Sequence, residues 1–322
     1  MGGLSTSALV DGGKAIGLSV LLGVVLAFMP VLSIFAVPLL PIPAAYVAVR
    51  HGALPALLSG LAAGALLIVM EPVSGLLAFL LAALVGTGAG IALRRGAGQT
   101  RLLAALTLLF LAAMAIWAGV LMAGAGLGPV AAVHSVTDRA LATVQQQTPS
   151  LLGGQDGFSQ LRDILGLMPY LLPSLFLVTA IAFAALTVLM ARPVFSRLGQ
   201  AFPAGTHFGE LRMHYSLAYV MIAGLACYLV SPLVSDSASN TIYLVGLNLL
   251  IVSQALFFVQ AIAIAYYFLA RHNVSRVKKI GVYAGLVLLQ MTLSLPSWMA
   301  LFDIWFDYRR RFAKKGKISQ SS

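Results

Sequence analysis

Val73-Ser-Gly-Leu-Leu-Ala-Phe-Leu-Leu-Ala-Ala-Leu-Val-Gly-Thr-Gly-Ala-Gly-Ile-Ala-Leu93 runs 21 residues without a charge, between Glu71 on one side and Arg94 on the other. A helix needs about 20 apolar residues to cross the hydrocarbon of a bilayer, and water-free surroundings force every backbone amide into internal hydrogen bonds. The stretch therefore reads as a spanning helix. Ala15–Val37, Ala53–Met70, Leu102–Ala123, Gly166–Ala191, Tyr215–Val234, Thr241–Ala270 and Ile280–Leu301 repeat the pattern, and a shorter helix is expected at Leu39–Val49. With 60% hydrophobic and 9% charged residues, against about 25% charged in soluble domains, the expected fold is all-α: a polytopic membrane helix bundle of 8–9 transmembrane helices.

The net charge of +11 does not point to nucleic acid, because the basic residues form no continuous stripe. They cluster beside the apolar runs. Lys14, Arg50, Arg94, Arg95, Arg101, Arg192, Arg197, Arg212, Arg271, Arg276, Lys278 and Lys279 fall in alternate gaps; the other gaps hold Glu71, Asp236 and the long segment 124–165, where Arg139 and Arg162 are the basic residues. Cytoplasmic loops carry the excess of Lys and Arg, so the expectation is a cytoplasmic N-terminus, with Ala15–Val37 a first span rather than a cleaved leader. The single cysteine, Cys227, lies in an apolar run and excludes a disulfide framework or thiolate metal site.

The C-terminus departs from the alternation. One further crossing would put Arg309, Arg310, Arg311, Lys314, Lys315 and Lys317 outside. The expectation is instead a break near Pro296 and a cytoplasmic tail. Ser297–Tyr308, with Trp298, Phe302 and Trp305 on one face and Asp303 and Asp307 four apart, reads as an interfacial amphipathic helix.

The first half follows a recognisable order. A Pro-rich turn, Pro38-Leu-Leu-Pro41-Ile-Pro43, leads into Ile42-Pro-Ala-Ala-Tyr-Val-Ala-Val-Arg50. The glycine-punctuated Ala53-Leu-Pro-Ala-Leu-Leu-Ser-Gly60-Leu-Ala-Ala-Gly64 follows. This resembles the substrate-capture subunits (S components) of energy-coupling-factor importers. The whole chain, including Leu301-Phe-Asp-Ile-Trp-Phe-Asp-Tyr-Arg-Arg-Arg311, resembles the YybS-like family of bacterial membrane proteins of unknown function. The resemblance implies a bacterial cytoplasmic-membrane protein in three parts: a six-helix module over residues 1–190 with a long outer loop at 124–165, additional spans over 191–300, and an amphipathic segment with a basic tail over 301–322. It implies a ligand pocket roofed by Pro38–Pro43, Met70–Val73 and Gly124–Leu165, with Glu71 as its carboxylate and Tyr46, Trp117 and Tyr170 as walls. It also implies that Ala15, Ser19, Gly23 and Ala27 dock a transmembrane coupling subunit served by ATPases.

The residues themselves leave alternatives open. A strip of small residues equally suits packing inside the bundle, Glu71 before Pro72 suits a turn, and Trp117 and Tyr170 suit interface anchors. Within the long segment, Val130–Gln147 is expected to form a helix lying on the membrane, followed by a glycine-rich turn at Gly153–Gly157.

No ionisable residue is expected at mid-span, which disfavours ion-coupled transport. The chain has no phosphate-binding Gly-x-x-x-x-Gly-Lys loop, zinc-protease His-Glu-x-x-His or Gly-x-Ser-x-Gly elbow. Asn248, Ser253, Gln254, Gln260, Gln290 and Thr292 suit hydrogen bonds across helix interfaces. His207, Glu210 and His214 at i, i+3 and i+7 would share one helical face, as a three-ligand zinc site requires. Three functional classes remain: capture of a small solute with partner ATPases, a non-transporting scaffold engaging lipid or a partner, and a membrane enzyme. The expectation is a protein that is not an enzyme and holds no cofactor.

Overall fold

The computed structural model describes residues 5–147, 155–205, 208–234, 236–272, 274–309 and 311. These are 88% helical and contain no strand. Eight helices among them are long and apolar enough to cross a membrane. Val31 and Val69 are each 85% exposed, a surface suited to lipid rather than water.

The helices are α1 (Thr6–Phe28), α2 (Pro30–Leu39), α3 (Pro41–His51), α4 (Ala53–Met70), α5 (Pro72–Leu80), α6 (Thr87–Arg94), α7 (Gln99–Gly124), α8 (Pro129–Gln147), α9 (Gln155–Gly166), α10 (Met168–Arg197), α11 (Ser216–Val230), α12 (Asp236–Arg271), α13 (Arg276–Leu293) and α14 (Leu295–Phe306). They divide between two compact units: Met1–Tyr170 with Thr179–Ala204, and Leu171–Val178 with Gly205–Ser322.

In the first unit the turn between the first two spans falls at Met29, not at Pro38–Pro43. The first span is Thr6–Phe28 rather than Ala15–Val37, and Val31–His51 forms the second. Two X–Pro bonds decide this. Met29, before Pro30, leaves the helical region (φ −128°, ψ 77°), as the proline ring favours. Leu40, before Pro41, stays helical (φ −54°, ψ −38°). Pro41 and Pro43 then occupy the first turn of α3, where a missing N–H removes no intrahelical bond. Thr187 Oγ1 donates to the Pro38 carbonyl at 2.9 Å across this kink.

The core is packed backbone to backbone. A π-helical turn, Leu81–Gly86, joins α5 to α6 into one span, Pro72–Arg94. A Cβ placed on Gly60 would lie 2.6 Å from Ala83 Cα, and one on Gly75 would lie 2.5 Å from the Leu67 carbonyl oxygen. One on Gly86 would lie 2.7 Å from the Pro41 carbonyl oxygen. Such contact maximises dispersion where lipid offers no hydrophobic gain for helix association. Phe110 and Phe195, both fully buried, fill the wider gaps.

In the second unit α11 and α12 pair through Gly224 and Gly246; a Cβ on Gly246 would sit 3.0 Å from the Gly224 carbonyl oxygen. Asn248 Oδ1 accepts the Ser174 amide at 3.2 Å, tying Leu171–Val178 to α12. The chain breaks at Ser294 (φ 52°) and α14 leaves α13 at 100°. The break is two residues before Pro296, where one was expected.

Beyond it α14 runs back along α12. Ser297 Oγ lies 2.8 Å from the Gln254 carbonyl, Gln260 Nε2 donates to the Ala300 carbonyl at 3.1 Å, and Arg309 reaches Gly209, which packs on Tyr266 and Tyr267. The chain at Arg309 has thus returned to the Arg271 end of the unit. Lys314–Lys317 lie outside the described residues.

Helix α14 packs one face on α12. Pro296, Ser297, Ala300, Leu301 and Asp303 are its buried face, while Phe302, Trp305 and Phe306 are exposed. Its first turn is capped in trans: Gln290 Oε1 accepts the Ser297 amide at 3.2 Å.

Candidate functional site

Glu71 is the N-cap of α5. Its carboxylate accepts the Val73 amide at 3.3 Å, the Ser74 amide, and the Ser74 hydroxyl. The Ser74 hydroxyl, then the backbone amides, hold this carboxyl below the usual range against a smaller opposing effect of burial. A depressed folded-state value means the cap stabilises α5 above the unfolded-state pKa, and the contribution disappears as pH falls through the folded-state one. The protection of the Val73 and Ser74 amides, relative to their intrinsic exchange rates, is therefore expected to fall in acid. Glu71→Gln should flatten that pH dependence; an unchanged profile would show that the cap does not form.

Trp117 Nε1 donates to the Val73 carbonyl at 2.8 Å, so Glu71 and Trp117 flank the same turn. Tyr46 is elsewhere. Its hydroxyl accepts from Arg50 Nη1 at 2.9 Å and its ring meets Phe195 edge-on. It belongs with the His51 end of α3, and the 18 residues of α4 separate that end from Glu71 by about 27 Å. Tyr170 is exposed in the first turn of α10. The four residues do not line one pocket.

Ala15, Ser19 and Gly23 are buried within the unit, and Ala27 is half-buried. Ala15 packs with Val47, Ala48 and Ala56, and Gly23 sits directly on the Leu67 side chain. The strip is occupied by α3 and α4 and is not a free docking face. On α1 itself, Asp11 Oδ2 meets Arg50 Nη1 at 2.9 Å and His51 Nε2 at 2.8 Å. A carboxylate thus lies inside the first span, four residues before the expected start at Ala15.

The histidine triad does not form as a helical face. Phe208–Glu210 is a single 3-10 turn and residues 211–214 are not helical. His214 Nδ1 is engaged by the Ser216 hydroxyl at 2.9 Å. His207 lies outside the described residues.

Two other polar sites emerge. The first is a cleft of about 440 Å³ between α8 and α9, lined by His134, Thr137, Asp138, Leu141, Arg162, Asp163, Leu165 and Gly166. Helix α8 runs Pro129–Gln147, where a helix over Val130–Gln147 was expected. His134, Thr137, Asp138 and Leu141 then share a face by their i, i+3, i+4, i+7 spacing. Leu141 is buried and floors the cleft. Helix α9 was not foreseen: the stretch read as a glycine-rich turn is helical from Gln155, and Gly153 and Gly154 lie outside the described residues. Asp138, Arg162 and Asp163 are exposed.

The second is a buried network in the second unit. Arg309 Nη2 meets Asp303 Oδ2 at 2.9 Å, with side-chain exposures of 4% and 2%. Arg309 Nη1 donates to the carbonyls of Gly209 (2.7 Å) and Leu211 (2.9 Å). Gln260 Oε1 accepts the Met213 amide at 2.8 Å, and its Nε2 lies 3.4 Å from Asp303 Oδ2. Asp303 Oδ1 accepts the Tyr308 amide at 2.9 Å. Nearer the surface, Arg212 grips Asp307 through two bonds of 3.1 and 2.7 Å. That hydrogen-bonded carboxylate raises the already high pKa of Arg212. Periodicity had placed Asp303 beside aromatics on an interfacial helix; the informative signal was a carboxylate on α14 facing an amide on α12.

The family profile described as "Predicted membrane protein (DUF2232)" matches residues 17–304. The chain belongs to this family. No curated protein and no solved structure matches it. The match takes in the α8–α9 cleft, Gln260 and Asp303 of this DUF2232 protein, and ends five residues before Arg309.

Proposed function

We propose that this membrane protein captures a small polar solute in the α8–α9 cleft, at the Gly124 end of a six-span unit. The observation that carries the reading is the cleft itself. Its volume suits a small ligand, and its two carboxylates, guanidinium and imidazole match a zwitterion or an organic cation. It lies on the connection between the spans Gln99–Gly124 and Met168–Arg197, and connections of this length are commonly binding loops. The resemblance to S components supports the same assignment, with energy for any uptake supplied by partner ATPases. The coupling-subunit contact would have to use a face other than Ala15–Ala27.

The test is thermal unfolding of the full chain in nanodiscs, with amine-bearing vitamins, amino acids and polyamines as probes. One chemical class should stabilise the protein saturably, by about 2–4 kcal/mol at 100–1,000 times its Kd. Asp138→Asn combined with Asp163→Asn should abolish the effect while leaving the ligand-free midpoint unchanged, since both side chains are exposed. Stabilisation that survives the double variant, or that no probe produces, would refute the site.

A further inference from the structure

At the Arg271 end of the second unit, a cavity of about 480 Å³ is lined by Gly209, Glu210, Tyr266, Tyr267, Ala270 and Arg271. We infer that it binds the headgroup of a phospholipid bearing both a phosphate and a primary ammonium, as in phosphatidylethanolamine. Arg271 would hold the phosphate and Glu210 the ammonium.

Four observations carry this. The cavity offers one guanidinium and one carboxylate, a pair complementary to a zwitterion and poorly matched to a simple anion. Its other wall is aromatic: Tyr266 is about half-exposed and meets Phe208 edge-on at 5.8 Å, and the Tyr267 hydroxyl lies 3.5 Å from Arg271 Nη1. Tyr at the end of a spanning helix sits at headgroup level, so the cavity opens where lipid headgroups are found.

The rim is also fixed. Gly209 is buried, a Cβ placed on it would lie 3.3 Å from Tyr266 and Tyr267, and its carbonyl accepts the buried Arg309 guanidinium. Glu210 is thereby held opposite α12 rather than on a free loop. Finally, Arg276 and Lys278, both exposed, follow at the same end and draw phosphate toward the surface.

The experiment is native mass spectrometry of the full detergent-solubilised chain, dosed with equal amounts of phosphatidylethanolamine, phosphatidylglycerol and phosphatidylcholine. Retention should favour phosphatidylethanolamine over both. Choline lacks the N–H donors for Glu210, and glycerol lacks the charge. Arg271→Ala should cut phosphatidylethanolamine retention about fivefold, the effect of one basic side chain at a headgroup. Glu210→Gln should bring phosphatidylethanolamine down to the level of phosphatidylglycerol and leave the latter unchanged. Both side chains are exposed, and elution of each variant at the wild-type volume checks that the fold persists.

Equal retention of the three lipids by the wild type, or no response to Glu210→Gln, would overturn the assignment in favour of a nonspecific basic surface. Displacement of the lipid by an equal concentration of soluble glycerophosphoethanolamine would overturn it in favour of a solute pocket.

Discussion

Replacing Asp303 with Ala is expected to destabilise the second unit by about 3–5 kcal/mol, the cost of leaving one member of a buried ion pair without the other. The guanidinium of Arg309 would remain 96% enclosed with only two carbonyls to answer it, and its Nε already has no partner among the described residues. The Tyr308 amide would lose its acceptor as well. Thermal unfolding of the full chain in detergent measures the loss. The double replacement Asp303→Leu with Arg309→Met should recover most of it, because a buried pair exchanged for apolar groups of similar size is often neutral or better. A loss below about 1 kcal/mol for the single variant, the range of an exposed pair, would show that the pair is solvated in the protein.

The second large effect is expected at Gly60. Leucine there must displace the main chain of Ala82 and Ala83, which a Cβ alone already approaches to 2.6–2.9 Å. Overpacking a well-filled core typically costs about 1–3 kcal/mol where side chains can yield; main chain yields less, so the first unit should fail to assemble. The control is Gly17→Ala, where a Cβ would meet nothing within 4 Å. That change should be neutral, or stabilising by up to about 1 kcal/mol through helix propensity. The yield of monodisperse protein and its unfolding midpoint separate the two. Equal behaviour would mean that α4 and the π turn are not in contact.

The number of spans and the class of fold were readable because hydrocarbon thickness imposes a length that local composition alone satisfies. The break before α14 was readable too, since six basic residues and a proline conflicted with one more crossing. The first turn was not. Pro30 and Pro41 look alike in sequence, but α3 packs against α6 and Thr187 bonds Pro38, and there Leu40 stays helical while Met29 leaves the helical region.

The site was less legible than the fold. The resemblance implied that Tyr46 and Glu71 share one pocket, but a full helix runs between them. The small-residue strip on α1 had two physical readings, and the choice turned on whether α3 and α4 supplied a matching surface, which composition does not encode. Asp303 sat among aromatics, so helical periodicity placed it with Asp307 on an interfacial helix; the glutamine that receives it is 43 residues away.

The return of α14 toward the Arg271 end has a practical consequence for topology mapping. A reporter enzyme joined after the last residue and a protease site inserted between α12 and α13 should give the same answer about sidedness, whichever face of the membrane that is. Truncation at Ser294 should consequently alter the packing of the second unit without altering which face its α12–α13 connection occupies.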